Sequence, residues 1–272
     1  MTDQVIPILK ILEAVGTSLK NWYTILSEFL QLLGNTLYWV IFGAAKKKPV
    51  KSPPVFEQMV FMGAKSIIIV FFVTFFTGIV LAMQSAYQLE KMGATLYVAS
   101  LVSVSICREL GPVLTALVIA GRIGAAITAE VGSMKVNEQI EALETMGINP
   151  VRFLVVPKFL ALFFMMPCLT VIGDIAGMVG GYVVGVYSLR INSALFIQTA
   201  YKFLTHKDIY TGLSKSLVFA MIIALVGCYQ GLKTSGGAVG VGRATTISVV
   251  TSFILIIIAD AIMTGIYYFS NL

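Results

Sequence analysis

Charge is scarce in this chain. Asp, Glu, Lys and Arg make up 12% of its 272 residues, against about 25% in a soluble domain. With 58% hydrophobic residues and a mean hydropathy of +0.91, this shortage excludes a soluble globular fold and indicates an integral membrane protein. Histidine is scarcer still: His206 is the only one, and it sits beside Lys207 and Asp208 in a polar connection. Cys107, Cys168 and Cys228 are far apart, lack metal spacing and lie in apolar runs, so they read as packing residues. No metal site is expected. No basic run is interleaved with aromatics, so the net charge of +6 reflects cytoplasmic lysines rather than nucleic-acid binding. A cleavable signal peptide is not expected, because the first apolar residues have neither a basic leader nor a small-residue cleavage site.

Long apolar runs dominate what is present. Residues 5–45 are amphipathic: Leu12, Val15, Leu19, Trp22, Leu26, Phe29, Leu33, Leu37 and Val40 recur at steps of three and four, opposite Lys10, Glu13, Lys20, Glu28 and Gln31. This predicts a helix in the membrane interface. The rival reading, a span over 29–45, is short of the ~20 residues required. A basic, proline-broken linker follows (Lys46, Lys47, Lys48, Pro49, Lys51, Pro53, Pro54). Five spans are then expected, near 66–89, 95–131, 158–189, 213–232 and 247–269. The fold class is therefore all-α, with about five transmembrane helices. The division is an amino-terminal segment of 1–54 and a membrane domain of 55–272. Lysine and arginine bias places Lys46, Lys47, Lys48, Lys51, Lys135, Arg152, Lys233 and Arg243 inside, against Lys91, Arg190, Lys202 and Lys207 outside.

Three features break the greasy pattern. The second run carries Arg108-Glu109-Leu110-Gly111-Pro112, then Arg122 and Glu130. An ionisable group in the hydrocarbon costs roughly 2.5–3.5 kcal/mol, so these must face a partner, a cavity or a substrate path. That run is too long for a ~30 Å core and must tilt, kink at Gly111-Pro112 or project into the cytoplasm. Residues 133–147 form a short amphipathic helix, with Ser133 as N-cap, Val136, Ile140 and Leu143 on one stripe, Glu138, Glu141 and Glu144 on another, and Gly147 as stop. Its plain reading is a surface helix; its sharper reading is a docking element. Gly173, Gly177, Gly181 and Gly185 recur every fourth residue and predict a close helix neighbour.

The loop expected over 235–246, Ser-Gly-Gly-Ala-Val-Gly-Val-Gly-Arg-Ala-Thr-Thr, nearly matches a phosphate-binding loop. It has Arg243 and Ala244 where that chemistry needs Lys and Ser/Thr, and no surrounding strand. Nucleotide binding here is not expected. No nucleophile elbow or HExxH is present either, so the chain does not read as an enzyme.

The stretch RELGPVLTALVIAGRIGAAITAEVGSMKVNEQIEALETMGINPVRFLVVP, Arg108 to Pro157, resembles the MlaE family of permeases, the membrane subunits of ABC transporters that handle lipids with MCE proteins. The likeness runs from about residue 55 to the end, including SGGAVGVGRATT. The segment Glu141-Ala142-Leu143 to Gly147 also resembles the EAA loop of ABC importers, with shorter spacing.

The resemblance implies a permease moving phospholipid between inner and outer membranes and maintaining outer-membrane lipid asymmetry. Two copies would form the core. A cytoplasmic ATPase dimer would carry ATP and magnesium, leaving no cofactor on this chain. A periplasmic MCE-domain hexamer and, in some members, a STAS-domain protein would complete the complex in a bacterial inner membrane, or less readily a plastid inner envelope. Residues 133–147 would be the coupling helix, with Val136, Glu138, Ile140, Glu141, Leu143, Glu144 and Gly147 facing or shaping the ATPase contact. Leu81, Leu89, Met92 and Leu110 would give a lipid its greasy wall; Gln84, Arg108 and Glu109 would meet its head. An internal Arg–Glu pair holding helices together is the structural alternative for the last two. Arg122 and Glu130 read as structural or coupling residues, and Asp174 and Asp260 are unassigned. Two other functions remain open: an ion-coupled transporter acting alone, for which no inverted repeat is visible, and a scaffold that does not transport.

Overall fold

The computed structural model describes residues 5–42 and 52–269, so the expectations for Lys46, Lys47, Lys48, Pro49 and Lys51 lie outside the described residues. Contacts divide the chain between Val50 and Lys51. The first unit contains one helix, α1 (Val5–Phe42). The side chains of Leu12, Val15, Leu19, Trp22 and Leu26 are outside the described set.

Every element among the described residues of the second unit is helical, the α-helices being α2 (Ser52–Met62), α3 (Ile67–Lys91), α4 (Val98–Ser105), α5 (Gly111–Ile119), α6 (Ala125–Val136), α7 (Gln139–Thr145), α8 (Val156–Val183), α9 (Ser193–Phe203), α10 (His206–Leu232) and α11 (Gly237–Phe269). Five stretches are long and apolar enough to cross a membrane: Pro53–Lys91, Thr95–Val136, Val151–Ser188, His206–Leu232 and Gly237–Phe269. The protein is an all-α, multi-pass membrane protein.

Several boundaries differ from the sequence-based expectation; the fourth span, for one, begins at His206 rather than near 213, which takes His206, Lys207 and Asp208 into α10. Pro53 and Pro54 belong to the first turn of α2 rather than to a linker, a position where a missing N–H costs nothing. The expected loop over 235–246 is mostly helix: α11 begins at Gly237, and Gly240 and Gly242 lie in its opening turns. Here neighbouring helix outweighs the low helix propensity of glycine. The surface helix starts at Gln139, not Ser133, because α6 runs on to Val136. The break between them falls at Glu138, whose φ of 58° is left-handed and ends α6 sharply.

The long second span, Thr95–Val136, is locally unwound at two places. Ile106–Leu110 and Ala120–Gly124 are π-helical turns. Pro112 sits in the first turn of α5; without an N–H it cannot close an α-helical bond to the preceding turn. The two charged motifs therefore coincide with the two irregular turns of this span, the setting in which π-bulges expose functional side chains.

Helix α10 is the centre of the bundle, packed against α5, α6, α8 and α11. The glycine stripe of α8 meets several neighbours rather than one. Gly177 lies backbone to backbone with Gly78 of α3, where a Cβ would overlap the Gly177 carbonyl. Gly173 sits beside Thr115, Thr74 and Val70, Gly181 beside Val102, and Gly185 beside Phe196. Helix α11 buries a narrow stripe, Ala244, Ser248, Ser252 and Ile256, at the four-residue period of one helix face. Thr128 Oγ1 lies 2.8 Å from Ser248 Oγ and 3.1 Å from the Gly227 carbonyl oxygen, tying α6, α10 and α11 together. Cys107 and Cys228 are buried, as packing residues should be, but Cys168 is exposed: its position on α8 faces away from the other helices.

Candidate functional site: buried ion pairs and a surface helix

Three spans converge on one ammonium. Lys215 of α10 is fully buried and bonds the Glu109 carboxylate from the π turn of the second span. It also lies 2.8 Å from Asp260 Oδ1 and donates to Thr264 Oγ1 at 2.7 Å, both on α11. An unpaired ammonium in this setting would carry a desolvation cost of several kcal/mol, which these three oxygens offset. Sequence analysis does not single out Lys215. The signal available was a lysine in an otherwise apolar run, two residues inside the expected start of the fourth span.

Arg108 takes a different partner, lying 3.7 Å from Asp208 Oδ1 at the start of α10. The same Asp208 carboxylate accepts from the Thr205 N–H at 3.0 Å and hydroxyl at 2.8 Å, closing a capping box. Arg108 and Glu109 are thus bound to other helices rather than to each other. Both stay half-buried, with side-chain exposures of 35% and 33%.

The seven residues expected at a lipid surface differ in burial. Leu81 and Leu89 pack on a core cluster of Ala82, Ala86, Val98, Val102, Ile106 and Val184. Gln84 and Met92 are exposed, and Leu110 is half-buried beside Arg108 and Glu109.

Nearer α7, Glu130 is 2.7 Å from Lys158 Nζ, and Lys158 is almost wholly buried. Arg122 donates to Ser66 Oγ and lies over the Phe61 ring at 5.8 Å. Asp174 of α8 presses against Gly111, where any side chain would collide with its Oδ1. That buried oxygen has no hydrogen-bond partner.

Helix α7 separates its two stripes cleanly. Ile140 and Leu143 are buried, while Glu138, Glu141 and Glu144 are exposed. Val136 is half-buried at the end of α6, and Met146 and Gly147 are exposed beyond α7. Gly147 has φ 70°, the left-handed stop that glycine takes without steric cost. Lys135 pairs with Glu141. That hydrogen bond, with a smaller backbone contribution, holds the Glu141 carboxyl below its ordinary value of 4.5. The helix therefore shows an acidic face outward from an apolar seat.

The model of the MlaE permease family matches residues 55–266, which takes in α7, three whole spans and most of the first and last. This chain belongs to the MlaE permease family. The permease is 40% identical over 263 residues to a "probable ABC transporter permease protein" of Rickettsia prowazekii, covering 96% of this chain and 99% of that one. It is 38% identical over 251 residues to a protein of the same description from Synechocystis, covering 92% and 94%. A protein so described from Pyropia yezoensis is 34% identical over 241 residues, covering 88% and 92%. The permease is thus the membrane subunit of an ABC transporter.

Proposed function

We propose that this permease moves phospholipid between the inner and outer membranes of a bacterial envelope, driven by a separate ATPase. As a homodimer in the inner membrane it would rest on a cytoplasmic ATPase dimer carrying ATP and magnesium. An MCE-domain protein on the periplasmic side would exchange lipid with it, and a STAS-domain protein is a further candidate subunit. This is the assembly implied by the family resemblance of Arg108 to Pro157.

The observation that carries the reading is the division of α7 into a buried apolar stripe and an exposed acidic one. A coupling element needs both: the seat passes movement into α6, and the free face meets the ATPase differently in its two states. For the lipid, Arg108 and Glu109 supply charge at the π turn of the second span, with Leu110 beside them. Leu81, Leu89, Gln84 and Met92 complete that wall, on a surface shared with the second copy.

Transfer of labelled phospholipid between vesicles by the purified complex, with ATP against a non-hydrolysable analogue, tests transport. ATP-dependent transfer supports the reading. A complex that binds the ATPase and hydrolyses ATP without moving any phospholipid overturns it. An ion-coupled carrier would instead transport without an ATPase.

A further inference from the structure

At the α7 end of the bundle, a cavity of about 500 Å³ is lined by Glu57, Gln58, Val60, Phe61, Lys65 and Glu130. It lies between α2, the turn leading into α3, and α6. Glu130 is under two helical turns from the end of α6, so the cavity sits far from Arg108 and Glu109 along the span.

Its chemistry is mixed in a specific way. Two carboxylates and one ammonium share the lining with two large apolar side chains. Val60 is 57% exposed and Phe61 37%. The Lys65 ammonium lies 5.7 Å from the Phe61 ring centroid. Glu130 satisfies the buried Lys158 through Oε1 and still keeps a side-chain exposure of 47%. Gln58 Oε1 is buried with no hydrogen-bond partner.

Each simpler ligand leaves part of this set unmatched. A lone anion meets Glu57 and Glu130. A metal ion meets Lys65, and no cluster of metal-ligating side chains occurs among the described residues. An acyl chain alone uses only Val60 and Phe61. A phospholipid whose headgroup carries a primary ammonium matches the charged and apolar members together: N–H donors for Glu57 and Glu130, a phosphate for Lys65, and chains along the apolar pair. A quaternary ammonium lacks those donors and forgoes the hydrogen bond to Glu57, a loss comparable to one hydrogen bond.

We propose that this cavity is a headgroup site for phospholipid bearing a primary ammonium, in the leaflet on the α7 side. It rests on the reading that the permease handles phospholipid, and adds a headgroup and an entry point remote from Arg108.

The test uses the full-length permease with p-benzoylphenylalanine replacing Val60, in nanodiscs of equimolar phosphatidylethanolamine, phosphatidylcholine and phosphatidylglycerol. After irradiation, the adducts are weighed by mass spectrometry. The expected result is phosphatidylethanolamine adduct in about fivefold excess over phosphatidylcholine, the discrimination of roughly one hydrogen bond. Glu57→Gln should bring the ratio close to one, and Glu57→Lys should turn the preference toward phosphatidylglycerol. Equal labelling by the three lipids, or an excess that survives Glu57→Gln, overturns the site. ATP-driven transfer by the assembled complex is measured in parallel. Transfer without headgroup preference at position 60 removes this site alone; preference without transfer keeps the site and removes the transport reading.

Discussion

Lys215 and Asp260 lie 2.8 Å apart across α10 and α11, and the same ammonium bonds Glu109 from the second span. One buried cation thus fixes the rotation of three helices at the depth of the RELGP turn. Glu109 is also half-exposed, so the same carboxylate that holds the buried ammonium keeps an open side.

Lys215→Met should leave Glu109 and Asp260 without their shared counter-ion. Removing one partner of a buried pair costs about 3–5 kcal/mol, so thermal stability in detergent should fall sharply. The double variant Lys215→Met/Glu109→Gln should recover part of the loss. Equal stability of Lys215→Met and the parent would contradict the buried-cation account.

Gly78→Ala places a methyl group against the Gly177 carbonyl. Overpacking a tight helix contact costs about 1–3 kcal/mol. Gly34→Ala and Gly265→Ala, where nothing lies within 4 Å, should be tolerated. A melting series on the three variants checks the contrast.

Glu141→Arg should abolish association with the ATPase while leaving the fold intact, since Glu141 is exposed on α7. Leu143→Arg is a poor probe of the same contact, because Leu143 is buried and its loss would damage the seat. Co-purification scored beside thermal stability separates the two. An ATPase that still co-purifies with Glu141→Arg removes α7 from the coupling role.

Glu138→Val forces a β-branched residue into φ 58°, a region still less open to it than to Glu, and should loosen the α6–α7 turn. Glu138→Gly should be accepted without loss. Hydrogen exchange of the α7 amides reports the difference.

The Lys135–Glu141 pair has a direction with pH. Its carboxyl is held below 4.5 in the folded protein, first by the hydrogen bond from Lys135. The contribution is therefore complete above 4.5 and is lost as pH falls through the lowered folded value. Hydrogen exchange in α7 should stay constant from neutral pH down to about 4.5 after correction for intrinsic rates, and rise below it. Because the pair is exposed, high salt should weaken it at every pH.

The sequence alone determined that this is a helical membrane protein of about five spans, because apolar run length is a local property set by bilayer thickness. It also fixed the two stripes of α7, since Ile140, Leu143, Glu141 and Glu144 are neighbours on one short helix and their spacing settles which share a face. The start of that helix was misplaced because the left-handed turn at Glu138 uses a residue with no turn preference. The glycines near 240 mislead for the opposite reason: local propensity there favours a loop, and the long helix that contains them overrides it.

Only tertiary structure decided who pairs with whom. Lys215 and Glu109 are 106 positions apart, and Lys158 and Glu130 come from different spans. Nothing in the local sequence of either partner encodes the other. Once the spans pack, a buried charge must find a counter-charge within a few ångströms, and the helix faces that packing brings together determine which charge that is.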